Sequence, residues 1–253
     1  MRKLSIIGAL LSVILVISIM DNAYGESNDK IILPLVRGGF QDIKDLITTY
    51  NSFDNDFVVA FPGPSMLKYT RHVNGEKIVS YFSAANIIKD IDALKDSNIE
   101  WVAYDLEGGL SPQYEVNDPI NSVKRVADVL HSNNMKLVLT IVNVPNFYYV
   151  VKEAVKYADM YITQGQRFQD PSIGGSPDLY AKKVIGLIDI IKKSNPNIII
   201  IAQVSLLKGD LENCKQSFAN VADYVDGVTL FYGTSKSELP KIKEFYSWIV
   251  SNY

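Results

Sequence analysis

Trp101-Val102-Ala103-Tyr104-Asp105-Leu106-Glu107-Gly108-Gly109 opens as an apolar run and ends abruptly in two carboxylates and a pair of glycines. Apolar residues at nearly every position, not every second one, are what a strand covered on both faces needs, and such strands belong to parallel sheets flanked by helices. Asp105 and Glu107 stand two residues apart, so an extended backbone sends both side chains to the same face. The stretch therefore reads as a buried parallel strand whose carboxyl end carries paired acids.

The same grammar extends in both directions. Upstream, Ile31–Val36 and Phe57–Phe61 read as strands, with a helix over Asp42–Tyr50 between them. Ser83 reads as the N-cap of a helix over 84–97, with Ile87, Ile88, Ile91 and Leu94 on one face. Downstream, strands are expected at Lys136–Val142, Met160–Thr163, Ile198–Val204 and Val228–Phe231. Helices fall between them at 121–132, 148–157, 178–193 and 210–221, and a last one at 236–251. Asn74-Gly75 is a strong short-hairpin signal, so 67–73 and 76–82 are expected to pair antiparallel around it. Sustained strand–helix alternation specifies a parallel α/β domain. An open doubly wound sheet would carry a Gly-rich phosphate turn after its first strand, and Arg37-Gly38-Gly39 matches that only weakly. The expected fold is α/β, a (β/α)8 TIM-type barrel with a β-hairpin insertion near residues 67–82, within the usual size of about 250 residues.

Arg2 and Lys3 precede an uncharged apolar run from Leu4 to Met20, and Ala23-Tyr24-Gly25 follows with small residues where a signal peptidase reads. Residues 1–25 are thus expected to be a secretory signal, or else a retained anchor, and residues 26–253 a single domain working outside the cytoplasmic membrane, secreted or at the cell surface. Membrane attachment is expected only through that segment if it is uncleaved. The 253 residues are 47% hydrophobic and 21% charged, a composition that excludes intrinsic disorder. A net charge of -3 excludes a basic nucleic-acid-binding face as the main device. With one cysteine, Cys214, and two histidines, His72 and His131, no cofactor and no metal centre is expected.

In a barrel, function gathers at the carboxyl ends of the strands. There Asp105 and Glu107 are candidate catalytic groups, because close like charges push two pKa values apart. Around them Arg37, Tyr104, Asn143, Tyr161, Gln164, Gln166, Gln203 and Tyr232 are candidate ligand-binding residues. Amides, hydroxyls and acids in one mouth suit a ligand rich in hydroxyl and amide groups. A structural alternative for the acids is a strand end dipping into solvent, or Glu107 paired with Arg37.

The pattern resembles the chitinase-like family 18 glycoside hydrolases. Their fourth barrel strand ends in Asp-x-x-Asp-x-Asp-x-Glu, and Leu139–Pro145 and Gly227–Phe231 are similar to their fifth and eighth strands. The resemblance implies a glycan partner, Glu107 as general acid, and Asp105 as the group that orients a substrate acetamido group, in a substrate-assisted scheme. Ala103 stands where the middle aspartate would be and Glu100 where the first would be. Tyr161–Gln166 carries glutamines in place of Met-x-Tyr-Asp, and Phe231-Tyr232 replaces the tryptophan under the sugar. A second resemblance, to a group of exported bacterial and archaeal proteins, lies in Tyr104–Gly108, Pro112, Asp118-Pro119, Ala158-Asp159 and Gln164-Gly165-Gln166. It implies one shared site for Asp105, Glu107, Gln164 and Gln166 but no reaction.

Two readings of function follow. One is an exported glycosidase-like barrel acting on or binding an N-acetylated glycan. The other is a non-catalytic barrel that binds glycans or envelope components through the same mouth. A metal-dependent phosphodiesterase is disfavoured, since His72 and His131 fall outside the strand ends.

Overall fold

The computed structural model describes residues 30–61 and 63–253, so the signal segment expected over residues 1–25 lies outside the described residues. Among the described residues nine strands, all parallel, form one sheet: β1 (Ile31–Ile32), β2 (Leu35–Arg37), β3 (Phe57–Phe61), β4 (Glu76–Tyr81), β5 (Trp101–Glu107), β6 (Lys136–Val142), β7 (Met160–Thr163), β8 (Ile199–Ser205) and β9 (Gly227–Phe231). The order across the sheet is β1-β9-β8-β7-β6-β5-β4-β3-β2. Its two outermost strands are therefore successive pieces of one chain segment, separated only by Leu33-Pro34. That arrangement curls the sheet.

This corrects the expectation of a closed eight-stranded ladder. β1 pairs with β9 and β2 pairs with β3. The switch falls at Leu33-Pro34: Leu33 N still donates to Val228 O at 3.1 Å, and Pro34 O accepts from Val59 N at 3.0 Å. Proline has no N–H to continue a ladder. Three buried tyrosines occupy the seam. Tyr50 Oη donates to Leu35 O at 2.9 Å, Tyr232 Oη also donates to Leu35 O, and Tyr246 Oη accepts from Leu230 N at 3.3 Å.

The helices are α1 (Ile43–Tyr50), α2 (Leu67–Thr70), α3 (Ala84–Asp96), α4 (Gln113–Asn117), α5 (Pro119–Ser132), α6 (Phe147–Ala154), α7 (Pro177–Ser194), α8 (Leu211–Ala219) and α9 (Leu239–Asn252). Their starts are fixed by local chemistry. Asp42, Ser83, Ser176 and Asp210 each accept a hydrogen bond from a backbone N–H of the first turn, replacing a partner the helix cannot supply. Strand residues such as Val58, Val102, Leu137, Ile200 and Val228 are fully buried, as two-sided coverage demands.

The hairpin expected over 67–82 does not form. Pro64–Met66 starts a 3-10 turn that leads into α2, and β4 pairs in parallel with both β3 and β5. Asn74-Gly75 serves instead as a helix-to-strand turn. Gly75 has φ +86°, and a Cβ there would lie 2.6 Å from Asn55 O. An Asn-Gly pair reports a need for positive φ, which a hairpin and this turn share.

Candidate active site

All strands being parallel, every strand-to-helix loop opens on one face, here called the mouth. β5 delivers its two acids to that face and then stops abruptly. Gly108 lies so near β6 that a Cβ on it would sit 2.2 Å from Asn143 O, and Gly109 has φ +100°. The turn folds back so that Ser111 Oγ donates to Asp105 O at 3.1 Å and accepts from Glu107 N at 2.9 Å. Glu107 O in turn accepts from Leu110 N and Ser111 N. The backbone of both acids is pinned from one side chain.

Register settles which way the acids point. Tyr104 Oη donates to Glu115 Oε2 of α4 at 2.7 Å, and Tyr81 Oη donates to Asp90 of α3 at 3.3 Å, so these positions face the helices. Asp105, of the opposite parity, faces inward, in register with Thr140 of β6. Gln164 Nε2 donates to Asp105 Oδ1 at 3.3 Å. Burial pushes the Asp105 carboxyl up to about 7; the charge of Glu107 adds to the rise, and hydrogen bonds from Thr140 and Gln164 oppose it. Burial also raises the pKa of Glu107. Two inward acids, the deeper one desolvated, thus retain a proton that ordinary carboxylates would have lost. Such a pair can donate a proton to a leaving oxygen near neutrality.

The other expected residues divide into those that share this face and those that do not. Arg37 has the parity of Asp105 through Leu35, Val59, Ile78 and Trp101, and Gln203 has it through Val138, Met160 and Ile199. Arg37 makes no ion pair with Glu107; its guanidinium donates to Tyr232 O and lies 4.4 Å from the centre of the Phe231 ring. Asn143 stands exposed on the rim at φ 56°, in the left-handed region. Gln166 is half-buried at the start of a 3-10 turn, its Oε1 buried without a hydrogen-bond partner.

Three tyrosines leave the site. Tyr104 faces α4, and Tyr161, in register with Leu139, shares that outward parity. Tyr232 is fully buried in the seam, where its hydroxyl lies 2.7 Å from that of Tyr50. A strand-end tyrosine can face mouth, helix layer or seam, and sequence alone does not distinguish them. The histidines lie away from the mouth: His131 Nε2 sits 3.0 Å from Asp159 Oδ2 at the opposite end of the strands, and His72 is in the loop before β4.

Beside the acids, a cavity of about 240 Å³ opens between the β6–α6 and β7–α7 connections. Asp105 and Glu107 do not line it; Gln164 lies on its wall and joins it to the inward face. Leu110, Tyr114, Tyr148, Tyr149, Ile173 and Leu207 are all more than half exposed, and all lie between the start of the β5–α4 turn and the loop after β8 or in the first turn of the following helix. The mouth is thus rimmed by apolar and aromatic groups, which mark binding surfaces when gathered on one face.

Sequence reasoning missed Ser111, Glu115 and the cavity residues Arg167, Phe168 and Lys183. Ser111 could have been found from the short return after Gly108-Gly109. The others are assembled by elements distant in the chain.

No protein-family model matches the chain, and no curated protein is significantly similar to it. Solved structures are similar in fold. The GH18 chitinase ChiB from the chitin utilization locus of Flavobacterium johnsoniae superposes with a TM-score of 0.56 at 14% identity, over 88% of this chain and 96% of that one. The fold is that of TIM-type barrels. The spore cortex-lytic enzyme SleL of Bacillus megaterium gives a TM-score of 0.59 at 8% identity, covering 89% of this chain and 74% of its own. A 3-keto-L-gulonate-6-phosphate decarboxylase of Vibrio cholerae gives 0.55 at 12% identity, covering 89% and 99%. Glycosidases and a decarboxylase share this scaffold, so the likeness establishes architecture, and chemistry must be argued from the site.

Proposed function

We propose that this protein is an exported, glycoside-hydrolase-like barrel that acts on an N-acetylated glycan through Asp105 and Glu107. The observation that carries the reading is the pair itself: two inward acids at the carboxyl end of β5, with Asp105 buried, bonded to Gln164 and pushed up to about 7. The fold likeness to chitinase barrels is consistent with it. In the substrate-assisted scheme Glu107 gives its proton to the glycosidic oxygen as that bond breaks. The substrate's acetamido oxygen forms the new bond to the anomeric carbon, and Asp105 orients the acetamido N–H. Water then opens the cyclic intermediate and the pair recovers its proton. The apolar rim supplies faces on which sugar rings stack.

One observation favours a second reading, a barrel that binds glycan without cleaving it. Ala103 occupies the inward position before Asp105, in register with Ser80 of β4, so no carboxylate lies there to exchange a proton with Asp105. Wild type and Glu107→Gln assayed on chitin oligomers and peptidoglycan fragments separate the two. The hydrolase reading expects wild type alone to release sugars, with the variant losing about 10²- to 10⁴-fold in kcat, as removal of a general acid does. Equal binding by both proteins with no cleavage by either would leave the binding barrel.

A further inference from the structure

The cavity beside the acids has a composition that the reaction at Asp105 and Glu107 does not use. Its floor is apolar, made by Ile141 at the end of β6 and by Val184 and Leu187 of α7. Three aromatic residues, Phe147, Tyr148 and Phe168, also line it. Two cations, Arg167 and Lys183, come from different elements and converge on it: the guanidinium of Arg167 lies 4.7 Å from the Phe168 ring centre and the Lys183 ammonium 5.8 Å. Among the described residues the ion pairs engage nine acids and seven basic residues, and neither Arg167 nor Lys183 is among them.

Two cations without ion pairs thus stand over one apolar cavity. Cations stacked on an aromatic face remain available to bind an anion from their other side. At about 240 Å³ the space suits one substituent or one ring, not a polymer. Its location adds a constraint. Gln164 contributes to the cavity wall while its Nε2 donates to Asp105, so a group in the cavity and a group at the acids would be neighbours on one ligand.

We propose that this cavity is an accessory subsite for a carboxylate-bearing substituent carried on a short apolar arm of the glycan, with Arg167 and Lys183 binding the carboxylate and the Ile141–Val184–Leu187 floor receiving the arm. The inference rests on the glycan reading and narrows it to acidic amino sugars such as those with an ether-linked lactyl group. Neutral chitin would leave both cations unengaged.

Calorimetric titration of the full protein tests it with three probes: N-acetylmuramic acid, its neutral counterpart N-acetylglucosamine, and lactate alone. Wild type is expected to bind the acidic sugar about tenfold more tightly than the neutral one, the scale of one charge-assisted hydrogen bond. Arg167→Gln/Lys183→Gln should abolish that preference while leaving affinity for N-acetylglucosamine within about twofold. Both residues are exposed, so the variant is expected to fold, and an unchanged circular dichroism spectrum and Tm verify this. Lactate binding lost in the same variant would identify the carboxylate as the recognised element. No preference in wild type, or a preference that survives the double substitution, overturns the subsite. A preference that depends on Arg167 and Lys183, with no effect of Glu107→Gln on cleavage or binding of any glycan, would keep the subsite and remove the reading of the acids.

Discussion

The hydroxyls of Tyr50 and Tyr232 lie 2.7 Å apart inside the seam where the curled sheet meets itself, and both reach the carbonyl of Leu35. The first comes from α1 and the second from the end of β9, so the pair ties the chain's beginning to its last strand at the point where Pro34 breaks the ladder. Tyr232→Phe is expected to cost about 1–2 kcal/mol, the price of a buried hydrogen bond removed from a satisfied cluster. Glycan affinity should be unchanged. Chemical unfolding beside a binding titration checks both; loss of binding with unaltered stability would return Tyr232 to the mouth.

Asp105 ties stability to pH through its buried carboxyl. Its folded pKa of about 7 lies above that of an unfolded aspartate, so between about pH 4 and pH 7 the folded chain holds a proton that the unfolded chain has released. Stability therefore falls as pH rises through that window and stays lower above it. Asp105→Asn removes the buried charge and is expected to stabilise the protein at pH 8 by roughly 1–3 kcal/mol, with little effect at pH 4. Thermal melts across pH measure this, since ~1 kcal/mol moves Tm by about 2–4 °C in a domain this size. Glycan cleavage by wild type should likewise decline as pH rises and Glu107, whose pKa burial raises, loses its proton.

Gly108 is required by contact and not by its own torsion. Gly108→Ala would place a Cβ 2.2 Å from Asn143 O, against backbone that cannot give way cheaply. The expected result is a loss of about 1–3 kcal/mol, as for overpacking in a core, together with reduced turnover as Glu107 is displaced. Gly109→Ala, with open space around it but φ +100°, should cost stability through strain and serves as the comparison.

Glu115 is a structural acid. Only 1% exposed, it accepts from Ser83 Oγ at 3.1 Å, Ala84 N at 2.9 Å, Ala85 N at 3.3 Å and Tyr104 Oη at 2.7 Å, seating a negative charge at the N-terminus of α3. Glu115→Ala leaves buried donors without partners and is expected to cost roughly 3 kcal/mol or more. Urea denaturation should show a lower midpoint with an unchanged slope.

The candidate site was legible in sequence to the extent that it is local. Asp105 and Glu107 share a face because they are two residues apart on a strand, whatever the rest of the chain does. Gln164 was legible as a strand-end amide, though its bond to Asp105 was not, because 59 residues separate them. Tyr104 was misplaced for a simple reason: the residue beside Asp105 on a strand points the opposite way, and here it serves α4.

What the sequence determined by itself is the alternation of elements, their caps and the acid pair, since each depends on spacing and chemistry within a few residues. The nine-stranded ladder with its break at Pro34, the tyrosines that fill the break, the burial that raises Asp105 and the cavity between Arg167 and Lys183 were decided by tertiary structure. Those features depend on which strands become neighbours and how deeply a charge is withdrawn from water. Both are properties of the whole packed sheet and not of any one stretch along it.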